Sequence, residues 1–171
     1  MRPKYKYGIQ VPRHHGEAMW IDDKNGNTCW QDAEKVELDQ LREYETFKDL
    51  GKGAAIPQGF KKIPCHMCYD FKADGRYKAR FVGGGHRTDT PIGSIYSGVV
   101  SLPGTRIVTA IAELNDLQVW GTDIGNAYLE SYTQEKIVFT AGDEFGDLSG
   151  HLFQIVKALY GLKTSGKRWH D

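Results

Sequence analysis

Apolar side chains recur at helical spacing over residues 30–44, where Ala33, Val36 or Glu37, Leu41 and Tyr44 share one side. Thr28, or the residues just after it, supplies the start signal. The first thirty residues show no such period. Pro3, Gly8, Pro12, Gly16 and the turn-like Lys24-Asn25-Gly26-Asn27 predict extended or irregular chain there. Gly51, Gly53, Pro57 and Gly59 mark residues 51–59 as a loop. Strand-like runs at 63–71 and 77–82 flank Ala73-Asp74-Gly75, which predicts a β-hairpin. Alternation puts Cys65, Met67 and Tyr69 on one face of its first strand and His66, Cys68 and Asp70 on the other. Gly83-Gly84-Gly85 ends the second strand and leads into a loop through Pro91 and Gly93.

Pro103 opens a predicted helix that runs to Leu114, with Ile107, Val108, Ile111 and Leu114 along one side. Asn115-Asp116 ends it. Residues 117–124 read as a buried strand with Asp123 near its C-terminal end. Two short strands follow, at 136–140 and 152–156, and 165–171 begins a helical segment. Interleaved helices and strands predict an α+β arrangement, divided as 1–50, 51–100 and 101–171.

Composition agrees with a folded chain. Hydrophobic residues make up 40% and charged residues 26% of the 171 positions, enough for a core and too apolar for disorder. Apolar runs are short, so no membrane span is expected. The N-terminus lacks the apolar stretch of a signal peptide, and three cysteines fit a reducing compartment, so the expectation is an intracellular protein, cytoplasmic or nuclear. Lys plus Arg and Asp plus Glu both total 22, which argues against a dedicated basic nucleic-acid-binding module. The charge is unevenly spread, however. Lys72, Arg76, Lys78, Arg80 and Arg87 are opposed only by Asp74, and Lys157, Lys163, Lys167 and Arg168 crowd the C-terminus. Such regions bind phosphates locally without a basic excess overall.

The segment Gly121-Thr-Asp-Ile-Gly-Asn-Ala-Tyr-Leu-Glu130 concentrates the candidate chemistry. A carboxylate at the end of an apolar strand, before a turn of small residues, suits a hard cation such as Mg²⁺. The same aspartate equally suits a turn cap. Lys78 and Arg80, two apart, share a strand face that is either a phosphate grip or a solvated basic surface. Cys65-His66-Met67-Cys68 has no second ligand pair, since Cys29 is distant and His14, His15 and His86 show no ligand spacing. The triple glycine is followed by no Gly-Lys-Ser/Thr or dinucleotide fingerprint.

Asp123-Ile-Gly-Asn-Ala-Tyr-Leu129 resembles the first palm motif of reverse transcriptases. In order, Lys6-Tyr-Gly-Ile-Gln-Val-Pro12, Trp30-x-x-Ala33 with Glu37, Asp74-Gly-Arg-Tyr-Lys-Ala-Arg-Phe-Val-Gly-Gly-Gly-His86, Tyr96-Ser-Gly-Val-Val-Ser101 with Arg106, and Ala158-Leu-Tyr-Gly-Leu-Lys-Thr-Ser-Gly-Lys-Arg-Trp169 are similar to the copia-type family. The resemblance implies a partial right-hand polymerase fold with a fingers hairpin and an early palm. It implies an RNA-directed DNA polymerase that uses two Mg²⁺ ions, deoxynucleoside triphosphates and an RNA/DNA template-primer, within a polyprotein carrying integrase and ribonuclease H. By resemblance Asp123 and the Ile124 carbonyl bind metal. Lys78, Arg80, Asn126, Ala127 and Tyr128 bind the nucleotide, with Tyr128 under its sugar, and Tyr160, Gly161 and Lys163 meet the template. Gly166 stands where many relatives have proline. No Tyr-x-Asp-Asp sequence follows Asp123, so the 171 residues alone are expected to be inactive. The alternative is a non-catalytic transposon relic that binds nucleic acid weakly through residues 72–87.

Overall fold

The computed structural model describes residues 3–88 and 96–171. Strands β1 (Lys4–Lys6) and β2 (Ile9–Val11) pair antiparallel across Tyr7 and Gly8, both at positive φ. Helix α1 (His15–Asn25) follows. The His14 ring accepts from the Glu17 N–H at its start, and Gly26 closes it in the left-handed conformation. Residues 4–25 are therefore a hairpin and a helix rather than irregular chain, and Lys24-Asn25-Gly26-Asn27 is a helix end. The reason is tertiary. Val11, Ala18 and Ile21 are buried in the core, although α1 carries too little apolar surface to show a stripe.

Helix α2 (Cys29–Glu43) matches the helical period. Thr28 occupies its N-cap position but makes no capping bond. The fully buried Asp22 does that work from α1, accepting from the Trp30 and Gln31 N–H groups at 3.0 and 2.9 Å. Glu37, not Val36, faces inward with Trp30, Leu38 and Leu41.

Strand β3 (Phe47–Lys52) begins before the expected loop and takes its first two residues, Gly51 and Lys52. It was hidden because only its pairing with a distant strand defines it. Strand β4 (Lys61–Lys62) is short. Strands β5 (Cys65–Phe71) and β6 (Tyr77–Gly83) form the expected hairpin, closed by the Lys72 N–H to Arg76 carbonyl bond, with Gly75 at φ 86°. The expected loop through Pro91 and Gly93 lies outside the described residues. Helix α3 (Leu102–Leu114) starts at Ser101, whose hydroxyl accepts from the Gly104 N–H, with Pro103 in its first turn. Its apolar side, Ile107, Val108, Ile111 and Leu114, is 53–83% exposed.

Residues 117–124 form no strand. Leu117, Val119 and Trp120 are 60–86% exposed. Their apolarity signals a wish for burial, but a strand exists only through a pairing partner, and none lies beside this segment among the described residues. Strands β7 (Ile137–Thr140) and β8 (His151–Ile155) and helix α4 (Ser165–His170) fall close to expectation.

The main sheet runs β3-β8-β7-β4, antiparallel except for the β4–β7 pair. The β5–β6 hairpin packs on it through aromatic rings. Phe81 lies 5.3 Å from both Phe139 and Phe145, and Phe47 contacts all three. Behind the hairpin, Trp30 of α2 meets Tyr69 and Tyr77 edge-on. The fold is mixed α and β, and it holds the outer face of β6 toward the segment carrying Asp123. No helix among the described residues is long and apolar enough to cross a membrane.

Candidate functional site

On β6, alternation sends Ala79 and Phe81 into the core and leaves Lys78 and Arg80 half-buried on the outer face. That face borders an open cleft of about 630 Å³, also lined by Lys72, Arg76 and Tyr77, with Val36 and Gln40 of α2 at its side. Asp123 lines the same cleft. The structure thus brings the aspartate and the basic hairpin strand together although irregular chain carries the former. Asp123 and Ile124 are both exposed. Not all the basic charge is free: Lys72 pairs with Asp70, as does Lys6, and the two lysines hold that carboxyl down at about 2.

Asn126 adopts the left-handed conformation and opens a short 3-10 turn over Ala127–Glu130. Its carbonyl accepts from Leu129, which is buried and anchors the turn. Tyr128 is left half-buried with its ring 4.7 Å from that of Tyr160, tilted by 46°. The Arg80 guanidinium sits 3.9 Å over the same Tyr160 ring. Arg80, Tyr160 and Tyr128 therefore form one continuous contact from the hairpin to the turn after Asp123. A cation over a ring at such a site contributes about 0.5–2 kcal/mol, and it covers a guanidinium face while leaving the N–H edges for an anion.

The triple glycine has a steric role that the sequence hinted at without placing. The Gly83 N–H donates to the Tyr160 carbonyl at 2.8 Å. A Cβ on Gly161, which lies at φ +89°, would stand 2.2 Å from the Gly83 oxygen, and one on Gly85 would stand 2.1 Å from the Gly161 oxygen. The end of β6 and residues 160–162 are in main-chain contact, which only glycine allows. Gly161 thus meets the Gly83 backbone. Lys163 donates to the Thr88 carbonyl at 2.6 Å, which pins the chain beyond the glycines. A Cβ on Gly166 would lie 3.2 Å from the Ser97 hydroxyl.

Glu37 was legible as a helix position and as part of the Trp30-x-x-Ala33 stretch, but with no site role. Its carboxylate reaches across from α2 and accepts from the Phe81 N–H at 2.9 Å. Burial pushes its carboxyl up, opposed by that N–H and by the charges of Lys78 and Arg80.

Cys65 and Cys68 project from opposite faces of β5, so they cannot share an ion. Burial raises the Cys65 thiol to about 12. No group of three or more His, Cys, Asp or Glu suited to a metal occurs among the described residues. Asp123 with the Ile124 carbonyl falls short of the oxygen set that two Mg²⁺ ions require.

A family described as "Reverse transcriptase (RNA-dependent DNA polymerase)" matches residues 50–171, well over half of the chain. The chain belongs to this family. Among curated relatives, this reverse transcriptase segment is similar to the "Retrovirus-related Pol polyprotein from transposon TNT 1-94" of Nicotiana tabacum, 28% identical over 81% of the chain and 11% of the relative. It is also similar to the "Transposon Ty1-BL Gag-Pol polyprotein" of Saccharomyces cerevisiae, 30% identical over 79% of the chain and 8% of the relative. The resemblance to copia-type elements is borne out. The chain spans about a tenth of the length of these relatives. No solved structure matches it.

Proposed function

We propose that this reverse transcriptase segment forms the nucleotide-binding wall and first carboxylate of a template-directed nucleotidyl-transfer site. One observation carries the reading: Asp123 and the Lys78/Arg80 face of β6 line one cleft. In the reaction a primer 3′-oxygen attacks the α-phosphorus of a deoxynucleoside triphosphate and pyrophosphate leaves. Arg80 grips phosphate oxygens through its free N–H edges, and Lys78 adds a second charge. The N–H groups of Asn126 and Ala127 approach the triphosphate from the turn. Tyr128, held against Tyr160, lies under the sugar and selects against a 2′-hydroxyl by bulk. Tyr160, Gly161 and Lys163 form the template side, where Lys163 exchanges the Thr88 carbonyl for a phosphate. In this reading residues 51–100 are fingers and 101–171 early palm.

A metal-assisted step needs carboxylates beyond Asp123, and no Asp-Asp pair follows it in the sequence. The 171-residue chain is therefore expected to bind but not to polymerise. Its affinity for a recessed RNA–DNA primer-template with deoxynucleoside triphosphate at low salt is expected to fall roughly tenfold or more in Lys78→Ala/Arg80→Ala, because charge-assisted contacts are lost. Unchanged affinity refutes the phosphate grip. In a primer-extension assay with Mg²⁺, template-dependent synthesis above background would refute the expected silence.

A further inference from the structure

We infer that Glu37 is a positioning residue for Arg80: a buried carboxylate on α2 that grips the open edge of β6 and so aims its cations into the cleft. The inference rests on the reading of that cleft as a phosphate site, which gives the aim its purpose. Among the described residues strand β6 pairs only with β5, so its other edge presents N–H groups to partners from outside the sheet. Two alternate N–H groups on that edge are taken by partners from outside the sheet. The Phe81 N–H donates to Glu37 at 2.9 Å, and the Gly83 N–H donates to the Tyr160 carbonyl at 2.8 Å. Arg80 lies immediately before the first of these anchors, and its guanidinium lies over the ring of Tyr160, whose main-chain carbonyl makes the second.

Glu37 is well suited to this task. It is buried, whereas the preceding residue, Val36, is exposed and borders the cleft, so α2 turns one residue toward the opening and the next toward the strand. A carboxylate accepts more strongly than a neutral oxygen. The charges of Lys78 and Arg80 act on the same carboxyl and oppose the upward push of burial. The other buried glutamate of α2, Glu34, is already engaged by His15 and the Tyr69 hydroxyl. Glu37 has no acid or base partner of that kind among the described contacts and spends its bond on the strand.

The test uses the whole chain and a spectroscopic readout that needs no ligand. The Arg80 side-chain N–H, over the Tyr160 ring, carries a ring-current shift that reports its orientation. In Glu37→Gln, which keeps an acceptor oxygen, this shift and slow exchange of the Phe81 amide are expected to persist. In Glu37→Ala both are expected to be lost, with Phe81 exchange at least tenfold faster. Should Glu37→Ala fail to fold, Glu37→Asp, one methylene shorter, gives the same comparison in a milder form. Tripolyphosphate titration of the same variants is expected to weaken about as far for Glu37→Ala as for Arg80→Ala, with Glu37→Gln binding at least as tightly as wild type. An Arg80 signal and Phe81 exchange unmoved by both Glu37→Ala and Glu37→Asp overturn the inference. If wild type does not bind tripolyphosphate while the Arg80 signal still follows Glu37, the positioning stands and the phosphate reading falls.

Discussion

Replacing Gly161 by alanine is expected to destabilise the chain by roughly 3 kcal/mol or more, through strain and steric overlap together. At φ +89° an L side chain is already unfavourable. Its Cβ would also meet the Gly83 oxygen at 2.2 Å and Val82 Cγ1 at 2.6 Å. The main chain cannot retreat cheaply, because the adjacent Tyr160 carbonyl is bonded to the Gly83 N–H. Gly75→Ala is the control. It has a similar φ of +86° with open space around it, so only the conformational term of about 1–2 kcal/mol remains. Urea unfolding of both variants separates the two contributions, and the larger loss corresponds to a melting shift of about 6–12 °C for a chain of this size. Equal losses in the two variants would mean that the contact between residues 83–85 and 160–162 does not hold in solution. The same substitution displaces Tyr160 from beneath Arg80, so it should also weaken phosphate binding without touching a cation.

Phe81→Ala should cost about 3–5 kcal/mol, the usual range for deleting a buried ring. Phe81 is fully buried and meets Phe47, Phe139 and Phe145 at ring distances of 5.3–5.7 Å. Phe81→Leu keeps much of the volume and should cost under about 1.5 kcal/mol. The effect should be uneven in space. Phe81 is where the β5–β6 hairpin packs on the main sheet, so native-state amide exchange should speed up in β5 and β6 well before β7 and β8. Uniform loosening of both sheets, or a loss below about 1 kcal/mol in the alanine variant, would contradict this account of what joins them.

Much of the architecture is near-neighbour information. The β5–β6 hairpin follows from two alternating runs around Ala73-Asp74-Gly75, and α3 from Pro103 and its apolar spacing, with the Ser101 cap seen only in the structure. Helix α2 follows from its period, although its true N-terminal cap, Asp22, comes from another helix. The outward pairing of Lys78 with Arg80 and the opposite faces of Cys65 and Cys68 follow from the strand period alone. The family was legible too, because ordered motifs are themselves a linear property.

What the sequence by itself determined, then, was which residues alternate, which turn and which motifs occur in what order. Tertiary structure decided the partners. It made β3 a strand by pairing it with β8, and gave 117–124 no strand partner among the described residues although their apolarity predicts a buried strand. It brought Gly83 and Gly85 into main-chain contact with Gly161, and put Asp123 and Arg80 on one cleft. Periodicity and turn chemistry act between residues a few positions apart, and these can be read along the chain. Pairing, close approach and a shared cleft join residues far apart in sequence, and only the folded backbone states which ones meet.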